Sequence, residues 1–270
     1  MFLQMKPFFQ RILHFFPVVY RYPVSKNYIY AMLDKTEGIV LKTTRYSESS
    51  VIVKIFTKKY GILSFMVQGI RSSKNKQKGN ILQPLNILNL EIYLKEQRSL
   101  NRIREYTPGH IYKSMQADFA KQSVAIFCIE LISKCVKEQE VNERLYDYLT
   151  MFLTDLDKEM QSIENKPLFF MLETASILGF EPSLQNILHG SYFNLESGRF
   201  EDRLISGNML DAHETTMLKK MMAVYYEKNE LKLAPHERKI LLDKMLLYFR
   251  WHVADFTDLK SPGILSEVLR

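Results

Sequence analysis

EGIVLKTTRYSESSVIVKIFTKKYGILSFMVQGIRSSKNKQKGNILQPLNILNLEIY, residues 37–93, decides how the amino-terminal part of this chain folds. Short runs rich in branched and aromatic residues alternate with glycine or polar turns, which is the pattern of antiparallel strands. Carried on to Tyr106, the pattern predicts five strands near 37–46, 50–57, 61–70, 84–95 and 99–106. VIVKIF at 51–56 and ILNLEIYL at 87–94 place apolar residues on both phases of the alternation, so both faces of the sheet need cover. Five short strands with two covered faces suit a small closed barrel of the OB type, filled on one side by its own side chains and meeting a helix or neighbouring domain on the other.

From Ser114 onward the apolar period changes to 3.6. Phe119, Ile126, Phe127, Ile129 and Ile132 form one stripe, and Leu145, Tyr148, Leu149, Phe152 and Leu156 a second. The pattern continues over 166–178 and stops at Gly179, with Pro182 beyond it. YFNLESGRF, inside a polar section at 186–208, predicts a small hairpin. Helices resume over 211–228 and, from Pro235 at a first-turn position, to about 254, with a last short one after LKSPG. The fold class expected is α+β. A five-stranded OB-fold domain over 32–112 precedes a helical domain over 113–270, which carries the hairpin insertion near 186–208.

Composition narrows the function. Hydrophobic residues at 46% and charged ones at 25% are ordinary globular usage and exclude a disordered or fibrous chain. No run of eighteen apolar residues occurs, which excludes a membrane-spanning helix and sets a cytoplasmic, nucleoid-associated expectation. Cys128 and Cys135 are seven residues apart on a predicted helix, ~10.5 Å along its axis. A disulfide needs α-carbons ~4.4–6.8 Å apart, so both are read as reduced thiols.

The net charge of +7 is unevenly spread. Residues 1–31 carry +4, residues 32–111 carry +8 and residues 112–270 carry −5. A positive field concentrated on one small domain attracts polyanions, and nucleic acid is the first partner to consider. RSSKNKQKGN at 71–80 holds Arg71, Lys74, Lys76 and Lys78 with no acid and no large apolar side chain, so it is expected to project into water as a phosphate-binding loop. Lys42, Arg45, Lys54, Lys58, Arg98, Arg102 and Arg104 flank it, and Arg102 and Arg104 share one face by the two-residue period. Tyr46, Phe65, Tyr93 and Tyr106 are the candidate rings for base stacking, although a ring in a barrel strand is more often core.

Residues 1–31 are aromatic, basic and free of acid, but Lys6, Arg11, His14 and Pro17 interrupt any signal-like apolar core. Two readings fit this segment: translation begins at Met32, or the segment is a membrane-surface or partner-binding arm.

No phosphate loop of the G-x-x-x-x-G-K-[ST] kind occurs, and HET at 213 and HER at 236 lack the second histidine of a zinc-protease helix. Six scattered histidines and two cysteines offer no structural zinc site. The chain reads as a binder, with no catalytic residues. Two rivals remain open: a barrel for RNA or a protein, and a metal-dependent nuclease or ligase-like enzyme.

The opening EGIVLK at 37–42, the YSES turn at 46–49, the FTKKYG step at 56–61, the GIRSSK loop at 69–74 followed by LQPL, MLETASILGF at 171–180 and LKSPGILSEVL at 259–269 together resemble the RecO family of bacterial recombination mediators. The resemblance covers about 32–270. It implies an OB-fold joined to helices and binding of single- and double-stranded DNA. It also implies annealing of complementary strands, help for RecA in displacing single-strand-binding protein, RecR as partner, and uptake of the acidic, hydrophobic-ended tail of single-strand-binding protein by the helical domain. Many family members carry four zinc-binding cysteines between the middle helices. Here 186–208 contains none, so no zinc is expected, and Tyr192, Phe193, Leu195 and Phe200 stand in for it by apolar packing.

Overall fold

The longest strand, β1 (Met32–Arg45), is the hub of the amino-terminal sheet. Its first half pairs antiparallel with β4 (Ile87–Leu94), and its second half with β2 (Val51–Thr57). Outside these lie β3 (Gly61–Val67) and β5 (Arg102–Pro108), giving the order β3-β2-β1-β4-β5. The structure, a computed structural model, describes residues 32–69, 76–94, 100–205, 207–227 and 231–269, with the side chains of Met32 and of 76–78 left aside.

The edge strands meet where Asn101 bridges Phe65 in parallel: its amide donates to Ser64 O at 2.9 Å and its carbonyl accepts from the Met66 amide at 3.1 Å. The arrangement is OB-like, but the expected full closure is not reached. β3 ends at Val67, two residues beyond this bridge, so no longer ladder can form.

Both sheet faces are covered, as the two-phase apolar pattern requires. Val40, Val53, Ile55, Leu63, Phe65, Leu88, Leu90 and Ile92 fill the interior. Ile39, Leu41, Phe56, Ile62 and Ile87 join the core of the helices instead. A bulge between Val40 and Lys42 shifts the β1 register. The stretch expected to stay wholly in water departs from that expectation at its end. Residues 76–81 form a short helix, α1 (Lys76–Ile81), because the next residue, Leu82, is fully buried in the sheet interior and Thr43 Oγ1 donates to its carbonyl at 2.5 Å.

The helical part comprises α2 (Phe119–Cys135), α3 (Glu143–Lys158), α4 (Lys166–Leu178), α5 (Ala212–Glu227), α6 (Pro235–His252) and α7 (Ser261–Val268). Local chemistry sets the ends. Asp118 and Asn142 accept the amides of Lys121 and Leu145 at 3.0 and 2.9 Å, and Gly179 terminates α4 at φ +83°. The expected hairpin is present as β6 (Tyr192–Asn194) and β7 (Arg199–Glu201), with β8 (Met209–Leu210) on its other edge. Two members of the first predicted stripe depart from it: Phe119 and Ile126 are exposed, because α2 buries its other faces. Met217, Met221, Met222 and Met245 are buried core filler. Both cysteines are free thiols, which burial pushes well above their ordinary pKa.

The sheet docks on the helices through the loop between α2 and α3. Ile62 bridges Glu138, the Gln139 amide donates to Ile62 O at 3.1 Å, and Phe56 meets Tyr146 edge-on at 5.6 Å. Gly61 makes the approach possible. It sits at φ +65°, and a β-carbon there would lie 2.2 Å from Glu140 O.

A second tie secures the connection from β5 to α2. Asp157, near the end of α3, is buried and accepts the amides of Lys113, Ser114 and Met115 at 2.8, 2.8 and 2.7 Å. Burial pushes its carboxyl up, but these donors outweigh that and bring it to about 2.

Two outcomes are expected of the full chain in urea denaturation. Gly61→Ala loses roughly 1–3 kcal/mol from strain and overlap with unchanged slope; retention of wild-type stability would show that the loop yields freely. Asp157→Asn loses about 1–3 kcal/mol at pH 7. The folded Asp157 pKa lies below the unfolded value, so the wild-type advantage is complete above about pH 5 and fades as pH falls toward 2. The gap between wild type and Asp157→Asn is therefore smaller at pH 3 than at pH 7, and an equal gap at both contradicts the assignment.

Candidate nucleic-acid interface

The strand register sorts the expected cations into two groups. Arg45 lies opposite Val51, and Val51 opposite Val67, so the β1–β2 turn and the exit of β3 share one end of the sheet. Arg45 and Tyr46 are exposed there, Tyr46 at 62%. Lys42 lies on the same strand, paired with Lys54 across β2, and Arg102 follows the Asn101 bridge to β3. Lys42, Arg45 and Arg102 are exposed and make no ion pair among the described residues.

Three other expected cations have acidic partners. Lys54 pairs with Glu138 at 3.2 Å and Lys58 with Asp147 at 2.7 Å, both from the helical part. The hydrogen bond that Lys58 donates to Asp147 holds its ammonium above the ordinary lysine range. Arg104 pairs with Glu91 at 3.3 Å, and Glu91 also takes Lys35 at 2.9 Å. That Lys35 hydrogen bond lowers the Glu91 carboxyl. Nor does the two-residue period survive in β5. The register slips between Glu91 and Ile92 so that Arg104 is the extra residue of a bulge, and strict alternation from Arg102 is lost.

Lys35, Lys58, Lys59, Glu37, Glu91 and Glu105 line an open groove of about 630 Å³ on this side. It is large but nearly neutral, with its lysines tied to Glu91, Asp147 and Asp34. A polyanion gains little there.

Among the four aromatic candidates, Phe65 is fully buried and packs in the sheet interior, so it offers no base platform. Tyr106 is half-buried against the same interior, and burial raises its phenol pKa. Tyr93 is half-buried as well. Tyr46 alone of the four presents an open ring. Arg71, Lys74 and Arg98 lie outside the described residues; Lys76 and Lys78 belong to α1, with side chains left aside.

The hairpin expected to replace zinc by apolar packing is enclosed by rings. Phe193 and Phe200 are buried 5.0 Å apart, Phe193 lies 5.6 Å from Tyr248, and His252 Nε2 is engaged with Leu195 O at 3.0 Å. These residues do not fit a metal. Among the described residues no three His, Cys, Asp or Glu side chains converge where they could hold one, and no helix is long and apolar enough to cross a membrane. Residues 1–31 lie outside the described residues.

Residues 32–112 match the family Recombination protein O N terminal, and residues 116–261 match Recombination protein O C terminal. A DNA repair protein RecO of Flavobacterium psychrophilum is 35% identical over 237 residues, 87% of this chain and 98% of the relative. A second, from Phocaeicola vulgatus, is 32% identical over 239 residues, covering 88% and 99%. A third, from Flavobacterium johnsoniae, is 32% identical over 235 residues, covering 87% and 98%. With both family domains matched in order and such relatives aligned nearly end to end, the chain belongs to the RecO family of DNA repair proteins.

Proposed function

We propose that this protein is a DNA-binding recombination mediator that binds single- and double-stranded DNA, anneals complementary strands and, with RecR, helps RecA onto DNA coated with single-strand-binding protein. The observation that carries the DNA-binding part is that Lys42, Arg45 and Arg102 are exposed and make no ion pair among the described residues, with the exposed Tyr46 ring next to Arg45 in the chain. The loop of Arg71 and Lys74 and the helix of Lys76 and Lys78 extend the same charge in sequence. The mechanism is electrostatic and non-covalent. Phosphates of two strands are neutralised together, so their bases pair without backbone repulsion, and pairing itself supplies about 1.4 kcal/mol per step.

The acidic tail of single-strand-binding protein is assigned to a small pocket between α4, α6 and α7. Leu168, Leu242, Leu265 and Leu269 wall it, Arg238 and Lys239 stand at its rim, and Glu164 Oε2 is buried there with no hydrogen-bond partner. Apolar walls suit a hydrophobic chain end, the two cations its carboxylates, and the orphaned oxygen a peptide amide.

Changing Lys42, Arg45 and Arg102 together to alanine is expected to weaken binding to single-stranded DNA and to reduce the slope of log affinity against log salt by about 2, while Lys54→Ala and Lys58→Ala leave that slope nearly unchanged. A triple variant with wild-type affinity and slope rules the surface out. For the pocket, Arg238→Glu with Lys239→Glu is expected to weaken a tail peptide about tenfold in fluorescence anisotropy and to leave DNA affinity intact. Equal peptide binding by both proteins removes that assignment.

A further inference from the structure

A second cleft, of about 200 Å³, opens at the seam where α1, the start of β4 and the 108–116 connection meet. It is smaller than the roughly 300–1,000 Å³ of drug-sized sites, so it holds one ring system and little more. Ile81, Ile87, Leu88, Pro108 and Ile111 give it apolar walls, and Ile111 is 75% exposed at its lip. Asn80 and Gln116 bring amide groups to its edge, while the Asn86 amide nitrogen is committed to Asn80 O and Ile81 O at 3.0 Å each.

His110 is the unexplained group. Its ring lies edge-on to Tyr112 at 5.0 Å, and its Nε2 is buried with no hydrogen-bond partner. A buried polar nitrogen without a partner is costly, and this one lines a cleft that could supply one. Tyr112 is already committed: its hydroxyl donates to Leu85 O at 2.9 Å. An imidazole nitrogen can donate or accept according to tautomer, which suits the mixed edge of a heterocycle.

The sequence flanking the cleft is cationic. Asn86 O accepts the Val40 amide at 3.0 Å, which puts the cleft wall beside β1 two residues from the unpaired Lys42. α1, whose last residues line the cleft, carries Lys76 and Lys78 in its sequence. We propose that this cleft takes a single unstacked nucleobase from a bound DNA strand, with His110 Nε2 and the amide edge contacting its polar rim. Apolar walls with a polar edge and cations in the flanking sequence favour a base on a phosphate backbone over an apolar protein anchor. The inference rests on the DNA-binding reading and names one subsite for it.

The test uses the full chain and a thymidine oligonucleotide carrying one 2-aminopurine between adenines, whose emission rises when the base leaves the stack. Wild-type protein is expected to raise emission on binding. Gln116→Trp, which fills the cleft from its exposed rim, is expected to abolish the rise and to weaken affinity about tenfold, with the salt slope unchanged. His110→Ala is expected to reduce affinity in the same direction without loss of the slope. An undiminished rise in Gln116→Trp overturns the base subsite while DNA binding stands. A Gln116→Trp protein that binds DNA as wild type but loses RecR identifies the cleft as a protein anchor and equally overturns it. Absence of any salt-dependent binding by wild type overturns the DNA-binding reading itself, and the subsite with it.

Discussion

The close approach of the β3 start to the loop between α2 and α3 is the constraint on which the rest of the architecture depends. A sheet with apolar residues on both faces cannot stand alone in water, since one face always remains unburied. Here the outer face is covered where Phe56 and Ile62 reach Tyr146 and the helices, and that contact requires backbone to meet backbone at Gly61 and Glu140. The ion pairs at the same seam are half-exposed and screened by water, so they contribute little. They orient the seam, while apolar burial and the glycine make it possible.

That docking also decides which cations stay free. Acidic side chains of the helical part reach Lys54 and Lys58, and Glu91 within the sheet takes Lys35 and Arg104. The largest groove on the sheet therefore lies over neutralised charge. Lys42, Arg45 and Arg102 make no ion pair among the described residues, and field rather than volume attracts a polyanion.

Much of this was legible in the sequence. The strand runs at 51–57 and 87–94, the arrest of α4 at Gly179, the Pro235 start of α6 and the 192–201 hairpin each follow from local pattern or a single residue's conformational preference. The sorting of the site was not legible. Lys58 meets a carboxylate 89 positions away, and no local signal announces such a pair. The bulge at Arg104 breaks a period that composition leaves intact, and Phe65 differs from an exposed ring only in the direction its strand faces. α1 was hidden because Ile81 is the one apolar side chain among its six residues; the buried Leu82 just after it fixes it in place. His110, in a connection without periodicity, carries a signal visible only in coordinates: a buried nitrogen with no partner.

The charge division bears on how two anionic partners are kept apart. The helical part is net negative and uses some of its acids at the seam; under the proposed function a nucleic acid backbone would be drawn to the β1–β2 end of the sheet rather than to the helices. An acidic peptide faces the same background, yet the pocket between α4, α6 and α7 carries its own Arg238 and Lys239. The cations proposed for the two ligands are different residues on different elements, and screening over about 8 Å at physiological salt weakens crosstalk between exposed charges farther apart than that. Under the proposed function a strand and a protein tail need not compete for the same charges. Displacement of single-strand-binding protein then follows from holding its tail on the helices while the strand it releases is neutralised on the sheet.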